Sequence, residues 1–418
     1  IQTGEVSFPL EFKLAGLSPE RWTIADSLAI LYFMSWDTSA NLKTEIVAQM
    51  LLEKLGEQRA REIFPLIINP DDEVFRADAA FGASVASADI QADKMLLGFL
   101  EDGSHAMGSN NWVAGPAMSP GGKPVVCDDP HMETRILPGP WYPAGLFTPE
   151  IRVVGVHIPG LPLMPIFRNR HVAIGITNAY GDMQDLYVET VDPANPDHFL
   201  EGNRSIAFGV VQETLRIRDK QAKAGFREEP LTIRYTTRGP VVSDVLKGLE
   251  TDRVMSLRWA PFETMDPTIG ATELIKAKSV TDIRDLLGSA NMIMLNFAFA
   301  DSAGNIGWQV SGRLPIRSDG DGTVPFVVTD GKDNWRGFVP FEQMPNATNP
   351  GKGWLGTCNH HTVPHDYPYY YSSYQSPTYR YRRLKQLMNT PGVKTVDDHW
   401  RYQRDTRNLM AEKLVPYM

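Results

Sequence analysis

Between Ser18 and Pro65, apolar residues recur three and four positions apart: Leu28, Leu31 and Tyr32, then Ile46, Met50, Leu51 and Leu55. That period lines one face of a helix and predicts two or more helices, with Ser18-Pro19 and Thr23 as starts and Gly56 and Pro65 as stops. After Pro70 the pattern collapses: "DDEVFRADAAFGASVASADIQADK" is small, polar and weakly periodic, the texture of a linker or surface loop. From Asn111 onward, short apolar or alternating runs ("NWVAG", "KPVVCDD", "IRVVGVHIPG", "HVAIGITNAYG", "DLYVETV", "LTIRYTTRGPVVSD") are punctuated by Gly and Pro and read as strands. "MIMLNFAFADSAGNIGWQVSGRLPI" predicts a hairpin turning at Asp301 to Asn305, and "YRYRRLKQLMNT" predicts a helix. Helices, then many strands, then helices argue for an α+β fold rather than a regular βαβ alternation. No internal repeat is present.

Composition changes this picture mainly by exclusion. The 418 residues, 42% hydrophobic and 22% charged, suffice for two or three compact units or one large layered domain. A formal net charge of −9 with no basic stripe argues against a nucleic-acid partner. No stretch approaches the roughly 18 consecutive apolar residues that span a bilayer, so no membrane partner is expected. The opening "IQTGEVSFPLEFK" lacks the basic and apolar regions of a signal peptide. Cys127 and Cys358 are the only cysteines, which leaves open one bridge or two free thiols.

Most familiar chemistry is missing. There is no G-x-S-x-G elbow, no H-E-x-x-H, no C-x-x-C and no phosphate-binding glycine loop. Cys358, His360, His361 and His365 in "GTCNHHTVPHDYP" offer zinc-ligand types, but their spacing fits no standard template and Pro364 interrupts any aligning helix, which favours a polar loop. "GSNNW", Gly108 to Trp112, reads locally as a turn. A second reading gives it chemistry. A serine can act without a histidine if its own freed α-amine, titrating near 8, serves as base. Gly108, lacking a side chain, leaves its carbonyl open to the Ser109 hydroxyl, so an N→O acyl shift and hydrolysis would cut between them.

With these residues in view, the chain resembles the penicillin acylase family of N-terminal nucleophile hydrolases. "GSNNW" followed by "GKPVVCDDPH" is similar to that family's junction and the strands after it. "GITNAYGDMQDLYVE", "TTRGPVVSD", "ADSAGNIGWQVSGRLPIRSDGDGT" and "NHHTVPHDYPYY…YRYRRLKQLM" resemble later blocks in order, and "FKLAGLSPERWTIADSL…WDTSANLKTEI" resembles the end of its α chain. The resemblance implies a four-layer αββα core, two stacked antiparallel sheets covered by helices. It implies residues 1–70 as the C-terminal helical part of the α chain, 71–108 as a spacer ending at the cut, and 109–418 as a C-terminally incomplete β chain. An α/β heterodimer from one precursor, periplasmic or secreted, would follow.

Residue roles come with it. Ser109 would be the nucleophile, Asn359 and the backbone N–H of Asn178 the oxyanion donors, His131 a holder of the serine end, and Arg380 the basic residue near the amine. Without the family, both asparagines are ordinary turn residues. Met132, Met164 and Ile166 fall where the family lines its acyl pocket, although alone they read as core, as does Trp112. Glu45, Asp182, Asp185 and the carbonyl of Gln184 match a structural calcium site, with the oxygen ligands that ion takes; no organic cofactor is implied. His360 and His361 depart from the family's Asn-Arg, and Arg238 from a commoner histidine, which bears on rim contacts. The resemblance implies an amidohydrolase acting on a small N-acyl substrate, with an apolar acyl group as in penicillin-type amides or N-acyl-homoserine lactones. The rivals are a glutaryl-type cephalosporin acylase, for which Arg168 is the nearest cation, and a catalytically inactive, calcium-stabilised binding protein on the same scaffold.

Overall fold

The computed structural model describes residues 20–39, 41–63, 108–132, 139–222, 225–246, 248–264, 271–318, 322–328, 334–364 and 366–417, with residues 10–15 and a few isolated positions before 108. Helix α1 (Ile24–Asp37) starts where the sequence places it. Thr23 accepts the Asp26 N–H through its hydroxyl and donates its own N–H to the Asp26 carboxylate at 2.7 Å, a capping box that satisfies two helix-end donors. Helix α2 (Asn41–Ile63) breaks at Gly56, whose φ of 74° lies in the left-handed region that glycine adopts without strain. The 71–108 spacer lies outside the described residues apart from Ala92, Lys94 and Gly108.

Seven strands follow: β1 (Gly108–Ala114), β2 (Val125–His131), β3 (Tyr142–Phe147), β4 (Arg152–His157), β5 (Ile166–Arg168), β6 (Val172–Asn178) and β7 (Gln184–Glu189). An exposed ribbon of β8 (Gly209–Arg218) and β9 (Phe226–Tyr235) leads to β10 (Val254–Trp259) and helix α3 (Val280–Leu287). The expected hairpin is β11 (Leu295–Asp301) and β12 (Ile306–Val310). Then come β13 (Asn346–Thr348), β14 (Trp354–Thr357), the expected helix α4 (Tyr379–Met388) and α5 (Val396–Gln403).

Two antiparallel sheets form the centre, one in the order β2-β1-β14, the other β13-β12-β11-β6-β5-β4-β3. Strand alternation sets what each face meets. Val113 and Leu355 look inward and pack on Ile306 and on Ala298 and Ala300 of the larger sheet, the two alanines being small enough to let the sheets approach. Trp112, Ala114 and Trp354 look outward and are covered by Leu384 and Met388 of α4. On the far side, Ile174, Phe297 and Phe299 are covered by Val280, Ile283 and Leu287 of α3. The layers therefore run helix, sheet, sheet, helix. Helix α2 joins through a separate core in which Ile46, Val47, Met50 and Leu51 pack on Leu186 and Val188 of β7 and Met255 and Leu257 of β10. No described helix is long and apolar enough to cross a membrane.

Candidate active site

Ser109 lies at the mouth of the sandwich, on β1 opposite Pro130 of β2. Its backbone N–H donates to Asn359 Oδ1 at 2.6 Å. Arg380, one residue into α4, donates to Asn359 Oδ1 at 2.9 Å, to the Ser109 carbonyl at 2.7 Å and to Asn110 Oδ1 at 2.8 Å. Asn359 Nδ2 donates to the carbonyl of Asn178 at 2.9 Å. Four sequence-predicted residues, the outermost 271 positions apart, thus meet. A Cβ at Gly108 would lie 2.7 Å from Arg380 Nη2 and 2.8 Å from Asn359 Oδ1, so only glycine leaves this approach open. Asn359 (φ 60°) and Tyr180 (φ 54°) are left-handed without being glycine, a strain that concentrates at functional sites.

The direction of the Asn178 N–H follows from the ladder. The Ala179 N–H goes to Met294 O at 3.3 Å, on the β11 side, while the Ile176 N–H goes the other way, to Asp128 Oδ1 at 2.8 Å. Alternate residues of an antiparallel strand point to the same side, so the Asn178 N–H faces away from β11. Strand β5 pairs with β6 only at Ala173 and Ile174, so that side is an open edge at Asn178.

Beneath Ser109 the sheets share a polar seam that sequence reasoning missed. Asn111 Nδ2 donates to the Gly175 and Asn296 carbonyls at 3.4 and 3.3 Å, and its Oδ1 accepts from Thr357 Oγ1 at 2.7 Å. Thr357 and Thr177 share a hydroxyl bond of 2.6 Å. Asn296 donates to Thr177 Oγ1 and the Asn178 carbonyl. The only prior signal was the paired amides in "GSNNW". Buried amides survive between sheets because each finds partners.

Other candidates sit elsewhere. His131 pairs with Gly108 in register, but its ring meets Asn110 Nδ2 at 3.3 Å and Asp129 at 3.1 Å, on the face that carries Asn110. His360 is buried, stacked on Tyr381 at 3.8 Å, and accepts the Cys358 N–H through Nδ1; burial pushes its pKa down to about 3. It is thus a neutral packing group, and the described part of "CNHH" forms no metal cluster; His365 lies outside the described residues. Cys127 and Cys358 are free, buried thiols pushed up to about 12 by burial. Arg238 is buried and paired with Glu189 and Glu201.

An apolar cavity of about 670 Å³, open mouth included, lies near these residues, although none of Ser109, Asn178, Asn359 and Arg380 lines it. Its wall includes Leu31 and Met34 of α1, Trp141, Met164, Ile176 and Leu295. Leu295 pairs with Asn178, and Asn178 Nδ2 donates to Thr38 O just past α1, so one wall residue of the cavity is the ladder partner of Asn178. Of the three predicted pocket residues, Met164 lines it. Ile166 packs against the core under α3, and Met132 is 40% exposed at the end of β2. Arg168 is exposed on β5, and no Lys or Arg is among the lining residues.

Glu45 of α2 meets Asp182 and Asp185 in a buried cluster whose carboxylate oxygens lie within 4.8 Å of one another. Arg317, which sequence reasoning missed, bonds both Asp185 oxygens at 2.8 to 3.0 Å and stands 3.4 Å from Asp182. Three carboxylates against one guanidinium leave two negative charges. Glu45 Oε1, Asp182 Oδ2 and Gln184 Oε1 are buried without a hydrogen-bond partner among the described residues. Orphaned hard oxygens and a twofold charge deficit fit a divalent cation held chiefly by Glu45 and Asp182, with Asp185 already engaged by Arg317 and Trp335.

Comparison with known proteins identifies the family and the fold. The penicillin amidase family model matches residues 1–418. The acyl-homoserine lactone acylase QuiP of Pseudomonas aeruginosa is 28% identical over 97% of this chain and 49% of its own length. The penicillin acylase 2 proenzyme of Pseudomonas sp. is 29% identical over 95% of this chain and 51% of its own. The thermostable penicillin G acylase structure from Alcaligenes faecalis superposes with a TM-score of 0.61 at 23% identity, over 74% of this chain and 54% of that one. This chain spans about half the length of the curated relatives it matches. A match over every residue, on a shared fold, means that the chain belongs to the penicillin amidase family.

Proposed function

We propose that the protein is an acylase that removes an apolar acyl group from an amide nitrogen through an acyl-enzyme on Ser109, after cutting itself between Gly108 and Ser109. The observation that carries this is the convergence on Ser109: its N–H on Asn359 Oδ1, Arg380 on its carbonyl, and the open Asn178 edge alongside. In maturation the Ser109 hydroxyl adds to the Gly108 carbonyl, the peptide C–N bond breaks as the ester forms and frees the Ser109 amine, and water then hydrolyses the ester, releasing the Gly108 carboxylate and restoring the Ser109 hydroxyl. The mature α-amine then takes the hydroxyl proton as Oγ attacks a substrate carbonyl, and returns it to the leaving nitrogen. Asn359 Oδ1 orients that amine, and the neighbouring Arg380 cation keeps it neutral by lowering its pKa. Asn359 Nδ2 and the Asn178 N–H stabilise the oxyanion.

The cavity supports an apolar acyl chain, because a carboxylate desolvated there would find no cation. That disfavours a glutaryl substrate. We further propose calcium at Glu45 and Asp182, where it neutralises buried charge and ties α2 to the sheet. The test is intact mass together with hydrolysis of an N-hexanoyl amide by the parent and by Ser109→Ala. The parent should yield two polypeptides dividing at Ser109 and turn over. Ser109→Ala should stay whole and inactive. A cut or active alanine variant overturns the assignment, and an uncut, inactive parent favours a binding protein.

A further inference from the structure

Asp128 has no part in the chemistry above, yet its carboxyl is buried where the two sheets meet. Oδ1 accepts the Ile176 N–H at 2.8 Å, and Oδ2 is buried with no partner. A Cβ on Gly175 would stand 2.8 Å from Oδ1, so the backbone of β6 lies directly against the acid. Asp128 belongs to β2 and pairs with Asn111 of β1, two residues from Ser109. Ile176 belongs to β6, two residues from Asn178. Where β5 stops, the Ile176 N–H has no neighbouring strand to take it, and the next N–H on that edge is Asn178's.

We infer that Asp128 is a positioning residue that stands in for the missing strand and sets the Asn178 N–H at a fixed distance from Ser109. This rests on the reading of Ser109 as nucleophile and Asn178 as oxyanion donor. One carboxyl oxygen ties β2, the direct ladder partner of the strand that carries the nucleophile, to the strand that carries the donor. Burial pushes the acid well above its ordinary range, in keeping with a neutral carboxyl used as an acceptor rather than as a charge.

The test compares Asp128→Asn, Asp128→Ala and Gly175→Ala in the full chain, with an N-hexanoyl amide as substrate and hexylboronic acid as a tetrahedral mimic on Ser109. Asp128→Asn keeps the acceptor and should keep kcat within about threefold. Asp128→Ala should lose on the order of tenfold to a hundredfold in kcat, with KM nearly unchanged and boronate binding weakened by the same factor as kcat/KM. Gly175→Ala displaces the carboxyl from the other side and should show the same pattern; it decides the matter if Asp128→Ala does not fold. An asparagine variant as poor as alanine, an alanine variant within twofold of the parent, or unchanged boronate affinity beside a fallen kcat overturns the inference. Ser109→Ala separates the two claims: activity in that variant removes the catalytic reading and this inference with it. If that variant is inactive, a contrary Asp128 result counts against Asp128 alone.

Discussion

Asn359 works as a junction. Its Oδ1 accepts from Ser109 and Arg380, one Nδ2 hydrogen goes to Asn178 O, and on the proposed reading the other would meet a substrate oxyanion. Asn359→Ala should therefore mature at least in part, yet lose on the order of a hundredfold or more in kcat with little change in KM, the usual effect of deleting one oxyanion donor. Steady-state kinetics on an N-acyl amide checks it, and activity within a few-fold would move the donor elsewhere. Ser109→Cys should mature, since a thiol can carry the acyl shift, but turn over poorly; a mass split without a matching rate is the expected signature. Ser109, Asn359 and Arg380 were legible because each sits in a local block with its own pattern. Asp128 and Arg317 were not. Their meaning depends on partners 48 and 132 residues away, Ile176 and Asp185, and no spacing rule links an acid to the backbone N–H of another strand.

At the scale of elements, local signals were read well: the Thr23 cap, the Gly56 break, the hairpin after Asp301 and helix α4. The stacking of two sheets was not in the periodicity and came from resemblance alone, because a strand's alternation says that one face is buried but not against what. The same gap affected the pocket. Met164 was identified, whereas Leu31 and Met34 arrive from α1, more than 70 residues before β1. One helix, two strands and the segments around Leu161–Pro165 and Ala290–Ile293 enclose the pocket, and an enclosed volume sets a limit on what fits. Each buried CH₂ of an acyl chain should add up to roughly 0.8 kcal/mol of transition-state binding until the cavity is full. kcat/KM should climb from acetyl to the filling length and then break, with glutaryl the poorest substrate. Met164→Phe should move the break to a shorter chain. A glutaryl amide outperforming hexanoyl would instead point to a cation reaching the cavity, with Arg168 the first residue to mutate.

Across the whole molecule, the helical segment that precedes the proposed cut is held to the sheets by an apolar core, by bonds from Asn178 Nδ2 to Thr38 O and Gln184 Nε2 to Ser39 O, and by one buried carboxylate. Leu186 N–H donates to Glu45 Oε2 at 2.9 Å, and the remaining Glu45 oxygen faces Asp182 and Asp185. Cutting the chain would leave these contacts to keep two polypeptides together, so neutralising the acids matters most after maturation. Arg317 supplies one positive charge, which leaves a choice between protons and a divalent ion. Burial pushes Glu45 upward and Asp182 up to about 7. An acid whose pKa is higher folded than unfolded takes up a proton on folding, so without the ion stability falls as pH rises from roughly 4 to about 7. A bound cation replaces those protons and removes the slope. Chelation should therefore lower Tm by several degrees at pH 7.5 and by little near pH 5, where protons do the ion's work, and added calcium should restore it. Thermal melts of the matured protein in calcium and in chelator at the two pH values decide this. A Tm indifferent to chelator at pH 7.5 would mean that Arg317 and retained protons suffice and that the cluster binds no ion.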